Sequence, residues 1–503
     1  MKVKTHLFSI RTNLDSLLAA LLGFFIVQIF SKHSGIGVSP DSVTYISAAR
    51  HLVQGKGFIS FENLPVVDFP FGYPLFLSII SFITRLDPLQ YGPVLNGILF
   101  GAVLYSSGAI MNGFNEKPSV WYKRILLVCI LFSPVLQEVY SLFWSETVFI
   151  LLVLLFIVSI SKYLKHLTSG WLFLSIIICS IACLTRYAGV FLIMTGGLLI
   201  FFNQSLSWRT RIFHCLIFGG LSFSLILINI IRNLAVTGFA TGMRLKNNTS
   251  LLNIMEYFGD VFCDWLMLKR IPALAALLTL SVVVYFIFSM IYSKRKIKSA
   301  SQLEYVISLT GLMYCIFMAI SSRLTRYELF TNRLLSPMFI PLLWSISWRI
   351  PEFVSRKSLK MKWIWGLSFF TVVVLFLRIE YLTDYEYYDG VKDAGVPGYT
   401  EDPFTQSEIV QFIEKNKEIF EPSLSIYSNA GDAVYFTTGL TARQLPGIAR
   451  PSQVQQYYRS KNNYLVWFQD LEDPDMPALD SILKNKDMTL LKQLSDGSVY
   501  ITR

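Results

Sequence analysis

Ser39-Pro40-Asp41-Ser42-Val43-Thr44-Tyr45 opens a stretch that continues through Ala48-Ala49-Arg50 and Gly55-Lys56-Gly57-Phe58 to Phe69-Pro70-Phe71-Gly72-Tyr73-Pro74-Leu75. It reads as an amphipathic helix lying at a membrane surface, followed by a Pro/Gly/aromatic hinge that leads back toward a bilayer. Ser39 is a candidate N-cap and Pro40 suits the first helical position. Asp41 then falls in the first turn, where the helix dipole favours a carboxylate. Tyr45, four residues on, shares its face, and Gly55 and Gly57 close the helix. On these residues alone Asp41 is as well explained by the dipole as by a functional role.

The rest of the chain supplies the bilayer. Over 503 residues, 53% are hydrophobic and only 15% charged, and the mean hydropathy is +0.50, which does not suit a soluble protein. Apolar runs of roughly 17–23 residues recur, enough for helices to cross a ~30 Å hydrocarbon core. Eleven spans are expected, at about 14–31, 90–111, 125–142, 146–162, 171–185, 187–202, 212–232, 271–293, 303–320, 333–349 and 362–379. The first lacks the small-residue site of a cleavable signal peptide.

Basic residues orient the spans. Clusters around Lys2, Lys117, Lys162, Arg209, Lys294 and Arg349 all fall on one side of an eleven-span chain. By the positive-inside rule that side is cytoplasmic. The loops 32–89 and 233–270, and the tail from about 380, are then external. The net charge of +11 hides a division: residues 380–503 carry 19 acidic and 11 basic side chains, so the basic excess belongs to the membrane part. It reflects anchoring to anionic lipid rather than nucleic-acid binding. The six cysteines lie in or near apolar segments, which argues against a disulfide framework or a CxxC zinc site.

Residues 380–503 read as a small extracytoplasmic α/β domain beside a transmembrane domain of 1–379. Thr405-x-x-Glu408 resembles a capping box opening a helix through Lys417. Leu424–Tyr427 and Tyr464–Phe468 read as strands, Ala478–Lys484 as a helix, and Asp496-Gly497 as the turn of a closing hairpin. Asn429-Ala430-Gly431-Asp432 joins a strand to a helix, as a tight loop or as an anion site at the helix start.

External ionisable groups are few, and such groups at a membrane boundary are functional candidates by default. Glu146 begins the fourth span, in Trp144-Ser145-Glu146-Thr147. Arg186 and Tyr187 interrupt the fifth and sixth spans, and Arg323, Arg326 and Arg333 frame the loop before the tenth. A guanidinium binds phosphate through two parallel hydrogen bonds. Snorkelling to the headgroups is the plainer account of the same arginines.

The first loop, with its lone Asp41 and its Phe69–Leu75 hinge, resembles that of the polytopic GT-C glycosyltransferases, including the protein-mannosyl and aminoarabinose transferases. The resemblance implies a mainly α, polytopic transmembrane helix bundle with juxtamembrane helices in the first external loop. It implies transfer of a sugar from a polyprenyl-phosphate carrier to an envelope lipid, glycan or protein acceptor, and it places the catalytic carboxylate at Asp41. Glu146 matches a second acidic position, usually Asp in such enzymes, and Arg186 a position of Arg or Lys. Tyr45, Arg186, Tyr187, Arg323, Arg326 and Arg333 are then the substrate-binding candidates. Some members use a divalent metal near the first-loop carboxylate, although no ligand set at convincing spacing is present here. The cytoplasmic loops hold neither a Walker loop nor a dinucleotide fingerprint, as a nucleotide-free external reaction requires. The alternatives are a transporter or flippase of lipid-linked sugar, or a polysaccharide polymerase or ligase. The expected setting is a plasma membrane, bacterial inner membrane above all.

Overall fold

The computed structural model describes residues 13–114, 120–244, 247, 249–295, 299–325, 330–355, 358–471 and 473–502. Arg326 lies outside them, as do Lys2, Lys117 and several other basic residues that orient the spans. The chain groups into two units. One comprises the chain through Ile29, Val67–Tyr73 and Pro93–Asp389; the other comprises Phe30–Val66, Pro74–Gly92 and the chain from Gly390.

Every expected span is helical. In chain order the helices are α1 (Leu14–Phe30), α2 (Pro40–Val53), α3 (Gly72–Thr84), α4 (Pro88–Met111), α5 (Val120–Leu131), α6 (Pro134–Ser141), α7 (Glu146–His166) and α8 (Ser169–Thr185). Then come α9 (Val190–Phe201), α10 (Trp208–Thr237), α11 (Leu251–Trp265), α12 (Pro272–Arg295), α13 (Ser299–Leu324), α14 (Asn332–Ser347), α15 (Ile350–Ser355) and α16 (Leu359–Ala394). Six of these are long and apolar enough to cross a membrane, and α5 with α6 makes a seventh if the bent pair is one span. The chain is a multi-pass membrane protein.

Three departures from the sequence expectation have local causes. The third span is broken between α5 and α6 with a 49° bend, because Pro134 brings no N–H to continue the hydrogen-bond ladder. The Phe69–Leu75 hinge ends in a helix of its own, α3. The loop 233–270 contains α11, one face of which buries Ile254, Phe258, Val261 and Phe262. There Gly259 lets the helix backbone meet that of Ala275 in α12, an approach any side chain would block.

In the first unit α7 packs on α8 and α13, α8 on α10, and α12 between α11 and α13. Phe149, Phe156, Phe191 and Trp344 fill its interior. In the second unit α2 starts as expected: Pro40 is its first residue, and the Ser39 amide donates to Ser42 Oγ at 3.1 Å. Gly55 and Gly57, with φ of +71° and +88°, turn the chain away after it. Residues 396–400 run alongside 34–38 as a strap: Val396 N–H donates to Ser34 Oγ at 2.9 Å, Tyr399 N–H to the Val38 carbonyl at 2.8 Å, and Thr400 Oγ1 to the Ile36 carbonyl at 3.3 Å.

The end of the chain forms a five-stranded sheet, β2-β1-β3-β5-β4, from β1 (Ser425–Ser428), β2 (Ala442–Gln444), β3 (Asn463–Phe468), β4 (Thr489–Gln493) and β5 (Gly497–Thr502). β1 pairs parallel with β2 and β3, while β5 runs antiparallel between β3 and β4. Helices α17 (Asp402–Thr405), α18 (Glu408–Lys415), α19 (Gly431–Thr438), α20 (Pro451–Arg459) and α21 (Leu479–Asn485) complete it. β3 and β5 are buried along their full lengths, and Leu465, Trp467 and Tyr500 pack with Leu445, Tyr457 and Ile482. β2 and α20 escaped the sequence reading, the first because three residues carry no alternation.

The capping box expected at Thr405 does not form. Thr405 ends α17, and α18 begins after Ser407. Asp496 of the β4–β5 hairpin reaches across instead, accepting from the Ser407 hydroxyl at 2.6 Å and from the Ile409 amide at 3.1 Å. A charged cap from a distant loop has displaced the local one. The Gly431 amide, read as a possible anion contact, is taken by Gln444 Oε1 at 2.7 Å. The tight-loop reading of that turn is the right one.

Candidate active site

The break between the fifth and sixth expected spans is where the first unit gathers its charge. α8 stops at Thr185, Arg186 is extended, and a single 3₁₀ turn, Tyr187–Gly189, starts the chain back into α9. The reversal is tight: a side chain on Gly189 would lie 2.5 Å from the Cys183 nitrogen. Arg186 is thereby held at the end of α8, its amide making the last ladder hydrogen bond to the Ala182 carbonyl at 3.0 Å.

Glu146 stands at the matching end of α7 and is completely buried. Its Oε1 receives Nη1 of Arg186 and Nε of Arg333, each at 2.6 Å. The Arg186 Nη1 also donates to Ser145 Oγ at 2.8 Å. Arg333, in the first turn of α14, places its guanidinium carbon over the Trp144 ring, 4.4 Å from its centre. One carboxylate thus faces two guanidiniums, each with about a fifth of its side chain exposed. The trio carries a surplus of one positive charge in a poorly hydrated place, where an anionic oxygen would be attracted far more strongly than in water.

Neighbouring groups fix this arrangement. Asn332, beside Arg333, accepts from Trp265 Nε1 at 3.0 Å and bonds to Glu138 of α6. Tyr187 donates its hydroxyl to the Val67 carbonyl at 2.9 Å and accepts from Asn233 Nδ2 at 3.0 Å. It therefore ties the hinge segment to α10. Of the remaining sequence candidates, Arg323 donates to the Thr249 carbonyl at 2.7 Å, away from the trio's hydrogen bonds. Glu138, Asn332 and Trp144 were not anticipated: Glu138 sits inside an apolar run, and the others carry no charge.

In the second unit Asp41 lies half-buried in the first turn of α2, and Tyr45 is 2% exposed. Arg50, further along α2, makes a two-pronged ion pair with Asp87 at 2.7 and 3.0 Å. No set of three or more His, Cys, Asp or Glu side chains close enough to hold a metal ion occurs among the described residues.

A helical membrane bundle with helices in its first loop and a small terminal sheet is a fold this chain shares with solved structures. Two solved structures carry the likeness. ArnT from Cupriavidus metallidurans bound to undecaprenyl phosphate superposes with a TM-score of 0.58 at 11% identity, covering 97% of each chain. The archaeal oligosaccharyltransferase AglB from Archaeoglobus fulgidus, in complex with an inhibitory peptide and a dolichol-phosphate, gives 0.55 at 12% identity, over 92% of this chain and 70% of that one. No family model and no curated protein matches the sequence.

Proposed function

We propose that this protein is a membrane glycosyltransferase that takes a sugar from a polyprenyl-phosphate carrier and passes it to an envelope lipid, glycan or protein acceptor on the extracytoplasmic face. The observation that carries the reading is the Arg186–Glu146–Arg333 trio, a surplus of guanidinium at a helix break in a GT-C fold. Its chemistry suits a phosphate monoester or diester, and ArnT and AglB were each solved with a polyprenyl phosphate. The acceptor atom attacks the anomeric carbon, its proton passes to Asp41, and the carbon–oxygen bond to the lipid phosphate breaks. Arg186 and Arg333 stabilise the charge gathering on the departing phosphate. One displacement with no enzyme nucleophile inverts the sugar. Glu146, in this scheme, orients the arginines and limits their excess charge. Tyr45, Tyr187, Arg323 and Arg326 complete the candidates for substrate contact.

The test is chemical. Purified protein is offered polyprenyl-phosphate sugars and, separately, nucleotide sugars, with membrane extract as acceptor; co-purifying lipid is identified by mass spectrometry. Transfer only from the lipid-linked donors is the expected result. Transfer from a nucleotide sugar without any lipid carrier would overturn it.

A further inference from the structure

Glu138 takes no part in the scheme above, yet it is built into the same end of the bundle. Pro134 breaks the third span, and the 49° bend gives the short helix α6 an axis of its own. The break is braced on both sides of Glu138. Gln137 Nε2 donates to the Leu131 carbonyl at 3.2 Å across it. Ser141 Oγ donates to the Glu138 carbonyl at 2.9 Å and meets the Tyr387 hydroxyl of α16 at 2.7 Å. α6 packs on α14, which Asn332 opens one residue before Arg333. Because Trp265 Nε1 donates to Asn332 Oδ1 at 3.0 Å, the amide is fixed with Nδ2 as the group left to bond the Glu138 carboxylate. Glu138 and Asn332 are both half-buried, as are Arg186 and Arg333. A carboxylate has about four acceptor sites, and the amide occupies one.

We propose that Glu138, held by Asn332, reads the sugar: its carboxylate accepts hydrogen bonds from hydroxyls of the carrier-linked sugar while Arg186 and Arg333 hold the phosphate. This rests on the reading of that arginine pair as the phosphate site. A sugar is joined to its carrier phosphate through a single oxygen, so whatever holds the phosphate brings the ring next to it. Asn332 bonds Glu138 and is followed at once by Arg333, which makes the two subsites neighbours. Hydroxyl recognition needs a charged acceptor with spare lone pairs in a fixed direction. Glu138 has both, since the amide that orients it is itself oriented by an indole. The opposite signs divide the donor between them. The guanidiniums face the anionic phosphate, and the carboxylate, which would repel it, suits the neutral ring.

Steady-state transfer by the full-length protein tests it, with donors on undecaprenyl phosphate: the sugar it transfers best, and analogues that each lack one hydroxyl. The wild type should reject one analogue by about 10- to 100-fold in kcat/KM, the worth of a hydrogen bond to a charged group. Glu138→Ala should lose that factor on the complete sugar and keep its rate on that analogue, so the discrimination disappears. Undecaprenyl phosphate without a sugar should bind wild type and variant alike. Glu138→Gln keeps the volume and the bond to Asn332 but not the charge. It should fall between the two, and it decides the matter if Glu138→Ala does not fold. A discrimination that survives both substitutions, a common fall for all donors, weaker binding of the bare carrier, or a wild type indifferent to every missing hydroxyl overturns the proposal. The underlying reading fails separately, if the wild type neither binds undecaprenyl phosphate nor transfers from any of these donors.

Discussion

Asp41 and Glu146 are both carboxylates at the first turn of a helix, and their surroundings differ. Asp41 is half-buried at the start of α2. Glu146 is completely buried and ion-paired with two guanidiniums. Asp41→Asn keeps size and most capping ability, so the protein should insert and fold while turnover falls about 10²–10⁴-fold, the usual cost of a lost general base. A mere dipole partner would cost only ~0.3–1 kcal/mol of stability. Glu146→Gln leaves two largely covered arginines without their shared carboxylate, a loss of about 3–5 kcal/mol. Thermal unfolding should show it, together with a rise in donor KM that exceeds the fall in kcat. Equal falls in kcat and kcat/KM would instead make Glu146 part of the reaction. Asp41 was legible because Ser39, Pro40 and Gly55 punctuate its helix. The partnership of Glu146 with Arg333 was not, since 187 positions separate them and only packing joins them.

Among the elements, hydropathy placed a helix at each of the eleven expected segments, six of them long and apolar enough to cross a membrane, because a bilayer demands apolar length whatever the packing. It could not foresee where a segment breaks for internal reasons, as at Pro134, or where an amphipathic helix such as α11 is stitched into a loop. Caps were the least legible feature. At α18 the local signal, Thr405-x-x-Glu408, lost to Asp496 arriving from a hairpin. Asp496→Ala should therefore weaken α18 by about 1 kcal/mol, as for a lost N-cap, and raise amide exchange at Ile409 roughly fivefold. Thr405→Ala should leave that exchange unchanged, which a true capping box at Thr405 would not allow. Hydrogen-exchange mass spectrometry on a peptide spanning residues 406–416 distinguishes the two.

For the molecule as a whole, the basic clusters predict a cytoplasmic N-terminus and an external chain end. Reporter fusions at Lys117 and Lys296 should give cytoplasmic signals, and a fusion at Asp402 an external one. A cytoplasmic signal at Asp402 would invert the membrane sidedness of the proposed reaction. The strap of residues 396–400 also has a meaning in time. The ribosome delivers α2 early, but its covering segment more than 350 residues later, by which point most helices are made. At ~5–20 residues per second the interval is some tens of seconds. Until then the segment leading into α2 waits without its covering strap, so a nascent chain halted before residue 396 holds an α2 whose surroundings are unfinished.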